Sequence, residues 1–180
     1  LRVQLITWVS TILVARILSP EDYGIVAISG IFVGVLAIIT DLGFMSALIN
    51  QKDITDEEMD SSFWFSLLIS GLLFILLYAV APYIAAAYGS PILSDIIRVS
   101  ALILPLTSLK IVPTAIAMRE LNYKYRAITE MGGQFVTAAA SILMAYNGFG
   151  VWTLVYSVIL GQAVVVLAYL PLLKHIPALG

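Results

Sequence analysis

The stretch Ala15–Ile28, ARILSPEDYGIVAI, decides how the chain folds. It sets an arginine, a serine, a proline, two acids and a glycine between two apolar runs. Ser19, Pro20, Glu21 and Asp22 read as a helix start. Ser19 supplies the N-cap. Pro20 suits the first helical position, where its missing N–H would be unpaired anyway, and Asp22 closes a capping box three residues on. Both acids face the positive end of the helix dipole. One helix ending before this knot and another starting in it make a tight helical hairpin. The sequence TDEE, Thr55–Glu58, repeats the device ahead of a third apolar run. The acid run Asp53–Asp60 therefore reads as helix capping on a wet surface rather than as a catalytic or metal cluster.

The surroundings of the knot name its solvent. Of 180 residues, 61% are hydrophobic and 11% charged, against about 45–50% and about 25% in ordinary soluble domains. So little polar surface cannot clothe a soluble domain, and the chain reads as an integral membrane protein. A net charge of -2 argues against nucleic acid as a partner. The absence of cysteine rules out a disulfide framework and a thiolate metal site. A membrane-spanning helix needs about 20 apolar residues. Six candidates are found at Val3–Leu18, Tyr23–Ile49, Phe63–Ala87, Ile96–Met118, Ile128–Tyr146 and Val151–Leu173. Alternating strands of about ten residues, the mark of a membrane β-barrel, are not seen. The expectation is an all-α, polytopic transmembrane bundle of about six helices. The first segment is short and the chain does not begin with methionine, so the first helix is expected to be truncated.

Several segments carry a small or polar stripe at helical spacing. The first has Gln4, Thr7 and Thr11; the second has Gly30, Gly34, Ala37 and Asp41; the fourth has Ser100, Thr107, Lys110 and Thr114; the fifth has Glu130, Gln134, Thr137 and Ser141. Small residues let helices approach and hydroxyls bond across them. That is the reading taken for Gly30 and Gly34. Packing does not require ionisable groups, and Lys110 is the sharpest of these. It lies nine residues before Arg119, about 13 Å into the membrane at a rise of about 1.5 Å per residue. A lysine near the bilayer centre costs about 2.5–3.5 kcal/mol on insertion scales. Either its ammonium snorkels to the interface, or it faces a wet cavity or a carboxylate such as Asp41 or Glu130. Pro105 and Pro113 flank it and should bend the helix and free carbonyls. Asp41 and Glu130 lie nearer the helix ends, where interfacial solvation is open to them. His175, the single histidine, reads as a solvated flank beside Lys174. No glycine-rich phosphate loop, histidine cluster or extramembrane carboxylate pair is seen. No enzymatic site, cofactor or metal is therefore expected, and the polar stripes read as those of a transporter or channel.

A resemblance sharpens this. Ala15-Arg16, Leu18-Ser19-Pro20-Glu21-Asp22-Tyr23-Gly24, Asp41-Leu42-Gly43-Phe44 and Ala47-Leu48-Ile49 resemble the N-terminal region of the polysaccharide-transporter family. That family comprises lipid-linked oligosaccharide flippases of the multidrug/oligosaccharidyl-lipid/polysaccharide superfamily. PTAIAMRELNYKYRAI, Pro113–Ile128, resembles the family's link between the fourth and fifth helices. The resemblance implies two helical bundles that rock about a central cavity. Residues 1–180 would be the N-terminal bundle, with the second bundle outside this chain. It implies flipping of an undecaprenyl-pyrophosphate-linked oligosaccharide for O-antigen, capsule or exopolysaccharide synthesis, in a bacterial or archaeal cytoplasmic membrane. The implied partners are the lipid bilayer, the lipid-linked oligosaccharide and the second bundle. Lys110, Arg16, Thr107, Thr114, Gln134 and Thr137 are then candidates to line the cavity. Asp41 and Glu130 are candidates for a coupling ion. Two rivals remain. A drug/cation antiporter of the same superfamily would want a carboxylate deep in the first helix, and none is present. A membrane glycan polymerase or ligase would want a large catalytic external loop.

Lysine and arginine in the loops set the orientation. Lys52, then Arg119, Lys124 and Arg126, then Lys174 fall on one side, while Arg16 and Arg98 alone mark the margins of the other. Both ends of the chain are thus expected in the cytoplasm. Tyr83, Tyr88, Tyr146 and Trp152 would form the outer aromatic belt, and Trp64, Tyr123, Tyr125 and Tyr169 the inner one. Single cysteines placed in Pro20–Tyr23, Gly89–Asp95 or Asn147–Gly150 should react with an impermeant thiol reagent on intact cells. Those in Gln51–Asp60 or Glu120–Arg126 should not, and labelling of the latter loop from outside would invert the topology.

Overall fold

The structure is a computed structural model, and it describes residues 2–50, 56–119 and 123–170. Those residues form helices joined by turns, with no strand among them: α1 (Arg2–Ile17), α2 (Pro20–Asn50), α3 (Asp56–Ala87), α4 (Pro91–Ser100), α5 (Ile103–Arg119), α6 (Tyr123–Tyr146) and α7 (Trp152–Tyr169). Four stretches are long and apolar enough to cross a membrane: Pro20–Thr40, Ser61–Ala87, Pro91–Ile111 and Trp152–Tyr169. The expectation of an all-α bundle holds.

The polar knot folds as its residues dictate. The Ser19 N–H and Oγ both donate to Asp22 Oδ2, at 3.1 and 2.9 Å, and the Asp22 N–H donates to Ser19 Oγ at 3.2 Å. This reciprocal capping box satisfies N–H groups that the first turn of a helix leaves unpaired. α3 likewise starts in the acid run, at Asp56; Thr55 and the side chains of that run lie outside the described residues. Helices α3 and α6 end alike. The Gly89 N–H reaches Ala86 O and the Ser90 N–H reaches Ala85 O; the Gly148 N–H reaches Ala145 O and the Phe149 N–H reaches Met144 O. Each pair of bonds closes the helix as a Schellman motif, which needs the left-handed conformation that glycine adopts freely; φ is 65° at Gly89 and 77° at Gly148.

The fourth apolar segment, expected as one run, is two helices in line. The break falls at Ala101–Leu102. Pro105 has no N–H to offer Ala101 O, and the Leu104 N–H takes that carbonyl instead at 3.0 Å, tightening the turn. Thr107 Oγ1 donates to Leu104 O at 2.8 Å and Ser108 Oγ to Pro105 O at 2.8 Å, holding carbonyls around the bend. Ser70 Oγ then donates to Ser108 Oγ at 2.9 Å and ties α3 to α5. The larger apolar core gathers α2, α3 and α4 around Leu77, Ala81, Leu93 and Ile97. Arg98 closes its edge, its guanidinium 4.8 Å from the centre of the Tyr78 ring.

Two expectations are corrected. Gly30 and Gly34 are not a packing pair: a Cβ at either would meet nothing within 4 Å. They continue the face of Tyr23 and Ala27 at helical spacing, and that face looks into open space. The close approach lies elsewhere, where α6 crosses α7. A Cβ on Gly133 would fall 2.3 Å from Val165 Cγ2 and 3.0 Å from Gly161 O. One on Gly161 would fall 1.9 Å from Thr137 Oγ1 and 2.8 Å from Gly133 O. Second, Tyr169 is not an interfacial anchor but is 1% exposed. It packs against Val165 and Tyr125, and the Tyr125 hydroxyl donates to Ala168 O. This aromatic pair locks the start of α6 to the end of α7, so burial outweighs the interfacial preference there.

These packing differences make opposite demands on glycine. Gly161→Ala must push Thr137 and the α6 backbone away, and overpacking of this kind costs about 1–3 kcal/mol. Gly30→Ala and Gly34→Ala meet no obstacle and each gains about 1 kcal/mol of helix propensity. Thermal melts of the full-length protein in detergent should show a lower midpoint for Gly161→Ala and an unchanged or higher one for the α2 variants. The reverse order would overturn the crossing.

Candidate functional site

Helices α1, α2, α6 and α7 enclose a cavity of about 530 Å³. α1 packs on α6 and α6 on α7, while α2 lines the opening with Tyr23, Val26 and Ala27. The walls carry hydroxyls and carboxamides set among apolar side chains: Ser10 and Thr11 on α1, Gln134, Thr137 and Ser141 on α6, Ser157 and Gln162 on α7, with Tyr23 on α2. No lysine, arginine, aspartate or glutamate is among the described lining residues.

Most of these hydroxyls are already committed as donors. Thr11 Oγ1 donates to Thr7 O at 2.8 Å and Thr137 Oγ1 to Gly133 O at 3.0 Å. Ser141 Oγ lies 2.9 Å from both Ala138 O and Ser10 Oγ, and Ser157 Oγ donates to Leu154 O at 3.3 Å. Each hydroxyl has a single proton, so these walls face the cavity chiefly as acceptors. The Ser10–Ser141 contact also pins α1 to α6 across a buried seam.

Behind one wall sits the charge. Lys110 Nζ donates to Gln162 Oε1 at 3.0 Å and lies 3.9 Å from Glu130 Oε1. The lysine side chain is 21% exposed and the glutamate side chain 35%. Of the partners expected for Lys110, the structure brings Glu130: the ammonium is held between α6 and α7. Glu130 turns inward to that pair. Its distance is too long for a hydrogen bond and serves as through-space compensation.

The remaining candidates separate. Gln134 and Thr137 line the cavity. Lys110 does not line it but touches Gln162, which does. Thr107 is half-buried and bound to its own helix. Thr114 is 5% exposed, with a hydroxyl that has no hydrogen-bond partner among the described residues, as has the Tyr169 hydroxyl. Arg16 is exposed in the last turn of α1, away from the cavity. Asp41 falls within α2, but its side chain lies outside the described residues. Gln162 was not singled out by the sequence reading. Its signal was there: Gly161-Gln162 in α7 repeats Gly133-Gln134 in α6, and a carboxamide in a crossing helix asks for a partner. No group of metal-ligating side chains is found among the described residues.

Comparison with known proteins agrees with this setting. Residues 13–180 match the family described as polysaccharide biosynthesis protein, and the chain belongs to it. The succinoglycan biosynthesis transport protein ExoT of Rhizobium meliloti is 33% identical over 147 residues, which is 82% of this chain and 30% of that protein. The teichuronic acid biosynthesis protein TuaB of Bacillus subtilis is 35% identical over 65 residues, 36% of this chain and 14% of its own length. An uncharacterized membrane protein in the cps region of Klebsiella pneumoniae is 25% identical over 92 residues, 51% of this chain and 19% of its own. The chain thus spans less than a third of the length of these relatives. No solved structure matches it.

The Lys110–Glu130 contact is measurable without any substrate. In a double-mutant cycle of Lys110→Met and Glu130→Gln, denaturation in detergent should return a coupling of about 0.2–1 kcal/mol, as expected for a partly exposed pair. Strict additivity of the two single changes would mean that the pair does not form.

Proposed function

We propose that this member of the polysaccharide biosynthesis family is the N-terminal bundle of a membrane exporter that flips a lipid-linked oligosaccharide from the inner to the outer leaflet. In this reading residues 1–180 rock against a second bundle to expose a shared cavity alternately to each side. The substrate is an undecaprenyl-pyrophosphate-linked glycan destined for O-antigen, capsule or exopolysaccharide, and the membrane is the bacterial or archaeal cytoplasmic one, with both ends of this chain inside.

The observation that carries the reading is a hydrogen-bonding, uncharged cavity with a lysine immediately behind its wall, inside apolar helices. Polar groups moved into hydrocarbon without partners cost several kcal/mol each, so a glycan headgroup needs such a path. Its pyrophosphate is anionic, and Lys110 brings the positive charge within one side chain of the cavity. An inside-negative potential favours outward movement of anionic charge by about 2.3 kcal/mol per charge per 100 mV. Glu130, facing Lys110, is the candidate to exchange a coupling proton or cation; Asp41 is the alternative on α2. The antiporter rival fits less well, because the described lining offers no carboxylate to a cationic drug. The polymerase rival asks for a large external loop, whereas the described turns at 88–90 and 147–151 are short.

The test is surface glycan per unit of membrane-inserted full-length protein, in a strain lacking its own exporter. Lys110→Ala should lower export by about tenfold or more, the worth of a hydrogen bond to a charged group. Lys110→Arg should retain more, since the charge persists though the fork differs in shape. Lys110→Glu should be the lowest. Equal values for wild type, alanine and glutamate would remove Lys110 from the transport path, and no glycan exported by the wild-type protein would reject the exporter reading.

A further inference from the structure

The α6–α7 crossing suspends two carboxamides over one cavity. Gln134 follows Gly133 and Gln162 follows Gly161, the two glycines whose carbonyls lie 3.0 and 2.8 Å from each other's Cβ positions. No larger residue fits at either glycine without spreading the helices. Both glutamines therefore stand beside the point of closest approach, and both line the cavity. We propose that Gln134 and Gln162 form a binding site for the sugar hydroxyls of the transported headgroup, recognising the glycan rather than its pyrophosphate. This rests on the exporter reading above.

The argument is one of donors and acceptors. The hydroxyls of Thr11, Thr137, Ser141 and Ser157 give their protons to helix carbonyls, leaving oxygen lone pairs toward the cavity. A ligand in this cavity must bring donors of its own, and it finds donors on the walls mainly at the carboxamides. Sugar hydroxyls both give and accept, so they match such a wall; a bare phosphate, which only accepts at its ionised oxygens, does not. The described lining holds no lysine or arginine to counter a phosphate.

Lys110 completes the device as a positioning residue. By holding Gln162 Oε1 at 3.0 Å it fixes which end of the amide is engaged and leaves the NH₂ group, with its two protons, for the cavity. The positive charge behind the carbonyl polarises the amide and strengthens those donors. Glu130 keeps the lysine in place from α6. Gln134 has no such orienter: its carboxamide makes no hydrogen bond among the described residues, so it is free to turn either end to a sugar. One fixed donor and one adaptable donor–acceptor would accept related glycans while still demanding hydroxyls.

Gln→Met keeps volume and helix propensity and removes both polar atoms. Full-length wild-type protein and the Gln134→Met, Gln162→Met and double variants would be placed in nanodiscs. Binding would be compared for polyprenyl pyrophosphate carrying its oligosaccharide and for polyprenyl pyrophosphate with no sugar. The expected result is a loss of roughly two- to tenfold per glutamine for the glycan-bearing lipid, the worth of one neutral hydrogen bond, with the bare lipid unaffected. Gln134→Met is the arm with no partner to lose, so its effect cannot be a repacking of Lys110. Equal weakening of both lipids would make the glutamines structural and overturn the site. Unchanged binding of both would overturn it as well, while leaving the exporter reading in place. Failure of wild type to bind either lipid would reject the exporter reading and the site together.

Discussion

The contact on which the rest depends is the crossing of α6 and α7 at Gly133 and Gly161. In hydrocarbon, apolar side chains gain nothing by leaving lipid for one another, so helices associate through close packing and interhelical polar contacts. Here the packing is as tight as backbones allow, with a glycine on each side. Several of the bundle's polar groups are arranged around that point. Thr137 bonds back to Gly133 O within α6, beside the crossing, the two glutamines flank it, and Lys110 reaches over from α5 to the α7 member. The Tyr125–Tyr169 pair, with ring centres 6.0 Å apart, clamps the same two helices further along. A rigid pair of helices keeps the geometry of the polar groups set between them.

The cavity is the complement of that contact. α6 and α7 close together, α1 is pinned to α6 through Ser10 and Ser141, and α2 is held by its core with α3 and α4. α1 and α2 share a capped turn at Ser19–Asp22 but are anchored to different partners. The space between them stays open, and Ala27 of α2 stands at its wall. Small residues thus serve different ends in one molecule: on α6 and α7 glycines remove steric bulk so that backbones meet, and on α2 Ala27 leaves room at the cavity wall.

What was legible in the sequence was local. The capping box in ARILSPEDYGIVAI involves residues three apart, and its chemistry fixes its geometry before any tertiary contact forms. The bend near Pro105 was legible for the same reason, because a missing N–H cannot be supplied from elsewhere. Helix identity followed from composition and length. What was not legible was partner choice. Gly30–Gly34 and Gly133 with Gly161 look equally good as packing surfaces along a single helix; only the bundle decides which face meets a neighbour. Tyr169 stands at a helix end, as interfacial tyrosines do, yet Tyr125 from another helix buries it. Of the cavity candidates, Gln134 and Thr137 were placed by their stripe, while Thr107, sharing a stripe with Lys110, turned to its own backbone at the proline bend. Gln162 went unseen because it lies one residue off the Thr153–Ser157–Gly161 spacing of α7 and its partner, Lys110, comes from another helix.

The charge balance explains why a lysine can sit there at all. An isolated ammonium among apolar helices would be driven to an interface or deprotonated. Lys110 has a carboxylate 3.9 Å away and a carbonyl at 3.0 Å, so the pair is nearly neutral as seen from lipid. Seen from the cavity it is not symmetric. Gln162 touches the ammonium and lines the cavity, whereas neither Lys110 nor Glu130 is among the described lining residues. A membrane bundle gains an electropositive cavity wall in this way without exposing a naked charge to hydrocarbon. In the proposed exporter, the glutamine is the element that would turn a partly exposed ion pair, otherwise a matter of stability alone, into a surface that a polar headgroup can read.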